Sequence, residues 1–189
     1  MKAPAMVIGL GSPDRGDDAV GAAVAERVRG VVGDGVEVIT REDPTALVHA
    51  WHGRHVVVLV DSMISGVAPG TVTVRRAGTR DAPLPTYAFA AAGRGGSHAF
   101  GLAGAVELSR TLGTLPEHVA IVGVESTNFD HGPMSQRVAA SVDDAVAAVC
   151  AELASAGVAP KGISTKGSST KGSSTKGSST KGNEAGTCV

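Results

Sequence analysis

Asp17 and Asp18 stand side by side in GLGSPDRGDDAVG, residues 9–21, after a short apolar run and before an apolar-periodic segment. Two adjacent carboxylates at a strand-to-helix junction have two ordinary uses. They cap orphan N–H groups of the first helical turn, worth about 1 kcal/mol, or they bind something positive. Phosphate is a poor candidate. Gly9 and Gly11 fit the first two glycines of G-x-G-x-x-G, but Asp14 stands where the third belongs. Asp17 and Asp18 would also face a pyrophosphate from the helix end that should bind it. No Gly-Lys-Ser/Thr follows, which excludes a P-loop. The turn favours a cation.

Two further residues have chemistry to offer it. Asp61 ends the run HVVVLV at 55–60, and His98 follows Ser97 at the start of a helical segment. If two carboxylates such as Asp18 and Asp61 approach to about 4 Å, they repel by about 4 kcal/mol at an effective dielectric near 20. A cation or a shared proton must then relieve the strain. Ser97 is a good N-cap, and a helix N-terminus disfavours imidazolium. Both hold His98 neutral, the form that ligates metal. The bland reading of a lone histidine there is a surface or packing residue. His49, His52 and His55 form a competing group, but Gly53 breaks the helix before His55. His118 and His131 receive no role. There is no G-x-S-x-G elbow, no H-E-x-x-H and no convincing Cys/His pair.

The elements that must hold these residues can be read from periodicity. Ala5–Leu10 is a buried strand, closed by Gly11, Ser12 and Pro13. Val20, Val24 and Val28 form one stripe of a helix ending near Gly30. Val36–Thr40 alternates as a second strand, and Asp43–His52 is a short helix with Pro44 at its first position. His55–Val60 is a strand buried on both faces by its valines, and Thr71–Arg75 is another. Residues 77–96 read as a long Pro/Gly-rich loop. Ser97–Gly113 is a helix with Leu102, Val106 and Leu112 along one side. Val119–Val124 is the last strand and Met134–Ala156 the closing helix. Alternating strands and helices predict an α/β three-layer sandwich, a mostly parallel twisted sheet of about five strands with helices on both faces. Ligands gather outside the carboxyl ends of such strands. Asp18, Asp61 and His98 all fall on that rim.

Composition divides the chain in two. From Lys161 it repeats as KGIST and then KGSST, with no apolar side chains worth burying, so residues 161–189 read as a flexible, disordered Lys/Gly/Ser/Thr tail and 1–160 as one domain. The tail carries five lysines and Glu184, a net +4; the whole chain is −1, leaving −5 on residues 1–160. An acidic body argues against nucleic acid as the main partner. Two cysteines are too few for a disulfide framework, and Cys150 fits a small core residue. No run approaches the roughly 20 apolar residues of a membrane span. A soluble, cytoplasmic protein is expected.

Taken together, GLGSPDRGDDAVG (9–21), VDSMISGVAPGTV (60–72), SHAFGLAGAVEL (97–108), VAIVGVE (119–125) and GPMSQRV (132–138) make the chain resemble the hydrogenase maturation proteases over about residues 5–155. Ser12, Ala19 and Ser126 depart from residues common in that family (Asn, Gly and Pro), and none is a proposed ligand. The resemblance implies an aspartic-type endopeptidase that removes the C-terminal extension of the [NiFe]-hydrogenase large-subunit precursor, acting as a monomer. It implies Asp18, Asp61 and His98 as catalytic and metal-contacting residues. The nickel would be carried by the substrate, so that the site reads whether metal insertion is complete. The alternative is a non-hydrolytic nickel-binding accessory protein in hydrogenase assembly.

Overall fold

The computed structural model describes residues 4–84 and 98–159, with side chains for 4–84 and 101–159. Its framework is a five-stranded sheet in the order β2-β1-β3-β5-β4. The strands are β1 (Ala5–Leu10), β2 (Val36–Arg41), β3 (Val56–Met63), β4 (Val72–Arg76) and β5 (His118–Glu125). Pairings β1–β2, β1–β3 and β3–β5 are parallel, and only the edge strand β4 runs antiparallel, against β5. The helices are α1 (Val20–Val31), α2 (Leu47–Ala50), α3 (His98–Thr111), α4 (Gln136–Ala140) and α5 (Val142–Ser155).

β3 shows why the sheet is a middle layer. Every residue from Val56 to Asp61 is buried, because both faces are covered. Val56, Val58 and Val60 pack with Val24 and Val28 of α1 and Val149 and Leu153 of α5. Val57 and Leu59 face the other way, with Leu47 of α2 and Leu102 and Val106 of α3. Strand side chains alternate faces, so Asp61 continues the side that carries α3. Ser62 continues the side that carries α1.

β2 and β3 pair with β1 on its two sides, so the sheet has its switch point between β1 and β3. That is where ligands sit in open parallel sheets. α3 leads into β5, which is parallel to β1 and β3, so its first turn lies at the carboxyl rim. A side chain at Gly101 would run into Pro44, which belongs to the 3-10 turn Pro44–Ala46 just beyond β2. The missing Cβ lets the start of α3 pack against that rim.

Several expectations need correction. β3 does not stop before Asp61 but runs through it to Met63. The closing helix is broken at Ser141, whose amide bonds to the Val138 carbonyl instead of continuing the regular ladder. The Asp43–His52 segment is a 3-10 turn followed by a single α turn, with Asp43 capping the Thr45 amide. Leu112 is exposed rather than aligned with buried Leu102 and Val106. Cys150 is half-buried rather than fully in the core. Residues 85–97, most of the expected loop and its Ser97 cap, lie outside the described residues, as does the tail from Pro160. Among the described residues, no helix is long and apolar enough to cross a membrane.

Candidate functional site

The site begins where β1 ends. Gly11 has φ +111°, and a Cβ there would collide with the Asp18 carbonyl. Glycine at this position lets the turn fold back and lay Asp18 over the strand end. Residues 16–19 form a 3-10 turn leading into α1. Its N-cap, Arg15, makes no side-chain cap bond, and the two carboxylates that follow are not used as caps. This overturns the capping reading.

Asp17 and Asp18 part company completely. Asp17 is fully buried, and its carboxylate accepts from the amides of Thr127 (3.0 Å), Asn128 (2.9 Å) and Ser135 (2.7 Å). Burial pushes its carboxyl up, but the hydrogen bonds from Asn128, Thr127 and Ser135 outweigh this and hold it below the usual range. The turn and the β5–α4 connection are also joined by backbone bonds, Asp17 N–H to the Asn128 carbonyl and Gly16 N–H to the Gly132 carbonyl. Asp17 is a clasp between two segments.

Asp18 is 4% exposed and turned toward β3. Its Oδ2 accepts from the Ser12 amide and its Oδ1 from the Ser62 hydroxyl, each at 3.0 Å. Asp61 is 6% exposed, and its Oδ1 has no hydrogen-bond partner among the described residues. Burial first, and the neighbouring Asp18 charge second, push the Asp61 carboxyl up to about 7, against the Ser62 amide. A buried, unpartnered carboxylate oxygen beside a second carboxylate is costly unless a proton or a cation occupies it. Two carboxylates with spare lone pairs therefore fit a divalent ion chemically.

His98 opens α3 at the same rim and on the Asp61 side of the sheet; its side chain lies outside the described residues. The structure thus sets Asp18 close enough for its charge to raise the Asp61 carboxyl and places the His98 backbone near the same edge. Among the described residues, no group of three His, Cys, Asp or Glu side chains forms a metal cluster. His49, His52 and His55 are all exposed.

Sequence reasoning missed Glu125. It is 2% exposed at the end of β5, and its carboxylate accepts from the Ser65 and Gly66 amides (2.9 and 2.8 Å) and the Ser65 hydroxyl (2.7 Å). It braces the segment that follows Asp61, Ser62 and Met63. The available signal was an acid closing an otherwise apolar strand.

The sequence model of the HycI hydrogenase maturation proteases matches residues 40–152, more than half of the chain. The chain belongs to the hydrogenase maturation protease family. The matched span includes Asp61 and His98 and begins beyond Asp18. Among solved structures, the chain is similar to the hydrogenase maturating endopeptidase HybD from Escherichia coli. That match has 25% identity over 82% of this chain and 94% of HybD, with a TM-score of 0.69. A second endopeptidase from E. coli matches at 23% identity over 82% and 96% of the two chains, with a TM-score of 0.72. The HybD [NiFe]-hydrogenase maturation protease from Thermococcus kodakarensis matches at 18% over 77% and 95%, with a TM-score of 0.55. The last two carry the fold alone. No curated protein matches. As a member of this family the chain is a hydrogenase maturation endopeptidase.

Proposed function

We propose that this endopeptidase removes the C-terminal extension from a nickel-loaded [NiFe]-hydrogenase large-subunit precursor. In this reading Asp18, Asp61 and His98 form the site that meets the nickel carried by the substrate. The observation that carries it is the Asp61 Oδ1, buried, without a hydrogen-bond partner among the described residues and within reach of the Asp18 charge. Such an oxygen is costly to bury unless a proton or a cation occupies it.

The two carboxylates differ in what they can do. Asp18 is held by one donor on each oxygen, so it is oriented and keeps lone pairs free for a cation. Burial and the Asp18 charge push the Asp61 carboxyl up to about 7 with no cation bound, and a cation between the two carboxylates would displace that proton and hold Asp61 as a ligating carboxylate. A neutral His98 imidazole would complete an O/O/N donor set suited to a divalent first-row ion. Such an ion, arriving with the precursor, would supply a Lewis acid next to the scissile carbonyl.

The test is incubation with nickel-loaded and nickel-free precursor, followed by mass measurement of the released peptide. Cleavage of the loaded form only is expected. Asp18→Asn, Asp61→Asn and His98→Ala should each abolish it while the chain stays folded. Equal cleavage of both precursor forms would remove nickel recognition from the proposal. Full processing by a folded variant would remove that residue from the site.

A further inference from the structure

Asp18 is gripped from two directions, and the second grip belongs to a residue that nothing so far has given a role. The Ser12 amide donates to Oδ2 from the turn after β1, and the Ser62 hydroxyl donates to Oδ1 from β3. An aspartate χ2 is a broad, roughly two-fold torsion. One donor leaves the carboxylate free to swing about the bonded oxygen. Two donors, one on each oxygen and from separate segments, fix its plane.

Ser62 is well placed for this. It lies beside Asp61 in β3 but on the α1 side of the sheet, where the turn carrying Asp18 rests. Its backbone is held in register with Val124, as Asp61 is with Gly123. One strand therefore presents a reactive carboxyl on one face and, at the next residue, a hydroxyl that aims its partner from the other. Each Asp18 oxygen keeps a lone pair beyond its single hydrogen bond, so the grip leaves both oxygens able to bind.

We propose that Ser62 is a positioning residue: its hydroxyl sets the orientation of the Asp18 carboxylate in which precursor cleavage occurs. The proposal rests on the proposed function, since it takes Asp18 to be a site residue. Groups that hydrogen-bond a ligating carboxylate act by orienting it, and their removal costs about 10–100-fold in affinity or activity.

The test uses the full chain and the variants Ser62→Ala and Ser62→Thr. Ser62 is only partly buried, so loss of one oxygen should leave the melting temperature within a few degrees. On nickel-loaded precursor, Ser62→Ala should lower kcat at least 10-fold with KM unchanged, and Ser62→Thr, which keeps the hydroxyl, should recover most of the rate. A readout independent of cleavage is the Asp18 carboxyl resonance in 13C-aspartate-labelled protein, assigned by its loss in Asp18→Asn. It should move in Ser62→Ala and return in Ser62→Thr. Wild-type kcat in Ser62→Ala, a loss confined to KM, or an unmoved resonance overturns the proposal. A wild-type chain that leaves the loaded precursor intact refutes the proposed function instead; an unmoved resonance in Ser62→Ala would then still refute the grip on Asp18.

Discussion

Replacing Asp61 by Asn should stabilise the protein, and the gain should depend on pH. In the unfolded chain this carboxyl releases its proton near 3.8; in the folded chain, burial and the Asp18 charge delay release to about 7. Between those values the unfolded state binds fewer protons, so stability falls as pH rises, and the cost is complete above about 7. A shift of about three units at 1.36 kcal/mol each sets a ceiling of about 4 kcal/mol. An asparagine keeps the shape, carries no charge and can donate toward Asp18. At pH 8 Asp61→Asn should therefore exceed wild type by about 2–4 kcal/mol, or about 4–16 °C in melting temperature for a chain of this size. At pH 4 the two should nearly coincide. Urea or thermal melts at pH 4, 6 and 8, with a chelator to keep divalent ions away from the wild type, measure this directly. A variant less stable than wild type at pH 8, or a difference that does not change with pH, would refute the reasoning.

Asp17→Ala should do the opposite. It strips the acceptor from three amides, and at about 1–3 kcal/mol per orphaned group the loss should reach about 3 kcal/mol or more in a denaturant titration. Since the Asp17 carboxyl is held low, its contribution persists above about 4 and disappears as pH falls through the folded value; melts from pH 5 to 2 should show an acid slope in wild type that the variant lacks. Gly11→Ala places a Cβ against the Asp18 carbonyl at φ +111° and should cost about 1–3 kcal/mol as well as precursor cleavage, read by melting and mass measurement. Trp51→Phe leaves the buried Ser109 hydroxyl without its indole donor at 3.0 Å and should cost about 1–3 kcal/mol while cleavage is retained.

What could be read from the residues alone follows the range of the forces involved. The valine run of β3 announces a strand covered on both faces, because burial is a property of consecutive residues. The stripe of Val20, Val24 and Val28 works in the same way, and all three are buried. Leu112 fits a helical stripe by spacing but falls past the end of α3, where it is exposed. The carboxylates of the first turn were harder. Adjacent and chemically identical, Asp17 and Asp18 differ only in what comes to meet them, and the Thr127 amide that meets Asp17 lies 110 residues away. Glu125 carries the same local mark as Asp61, an acid closing an apolar strand, but its bracing role was hidden, since its partners Ser65 and Gly66 arrive from another strand connection. Asp61 was legible because its signal is local: a charge set at the end of an apolar run.

The clasp made by Asp17 imposes an order on folding during synthesis. Its most distant partner is Ser135, 118 residues further along. At about 5–20 residues per second, a ribosome needs about 6–24 seconds to travel from one to the other. Throughout that interval the nascent polypeptide has its opening acidic turn but not the segment that locks it. A peptidase built this way stays unfinished until most of its own translation is done.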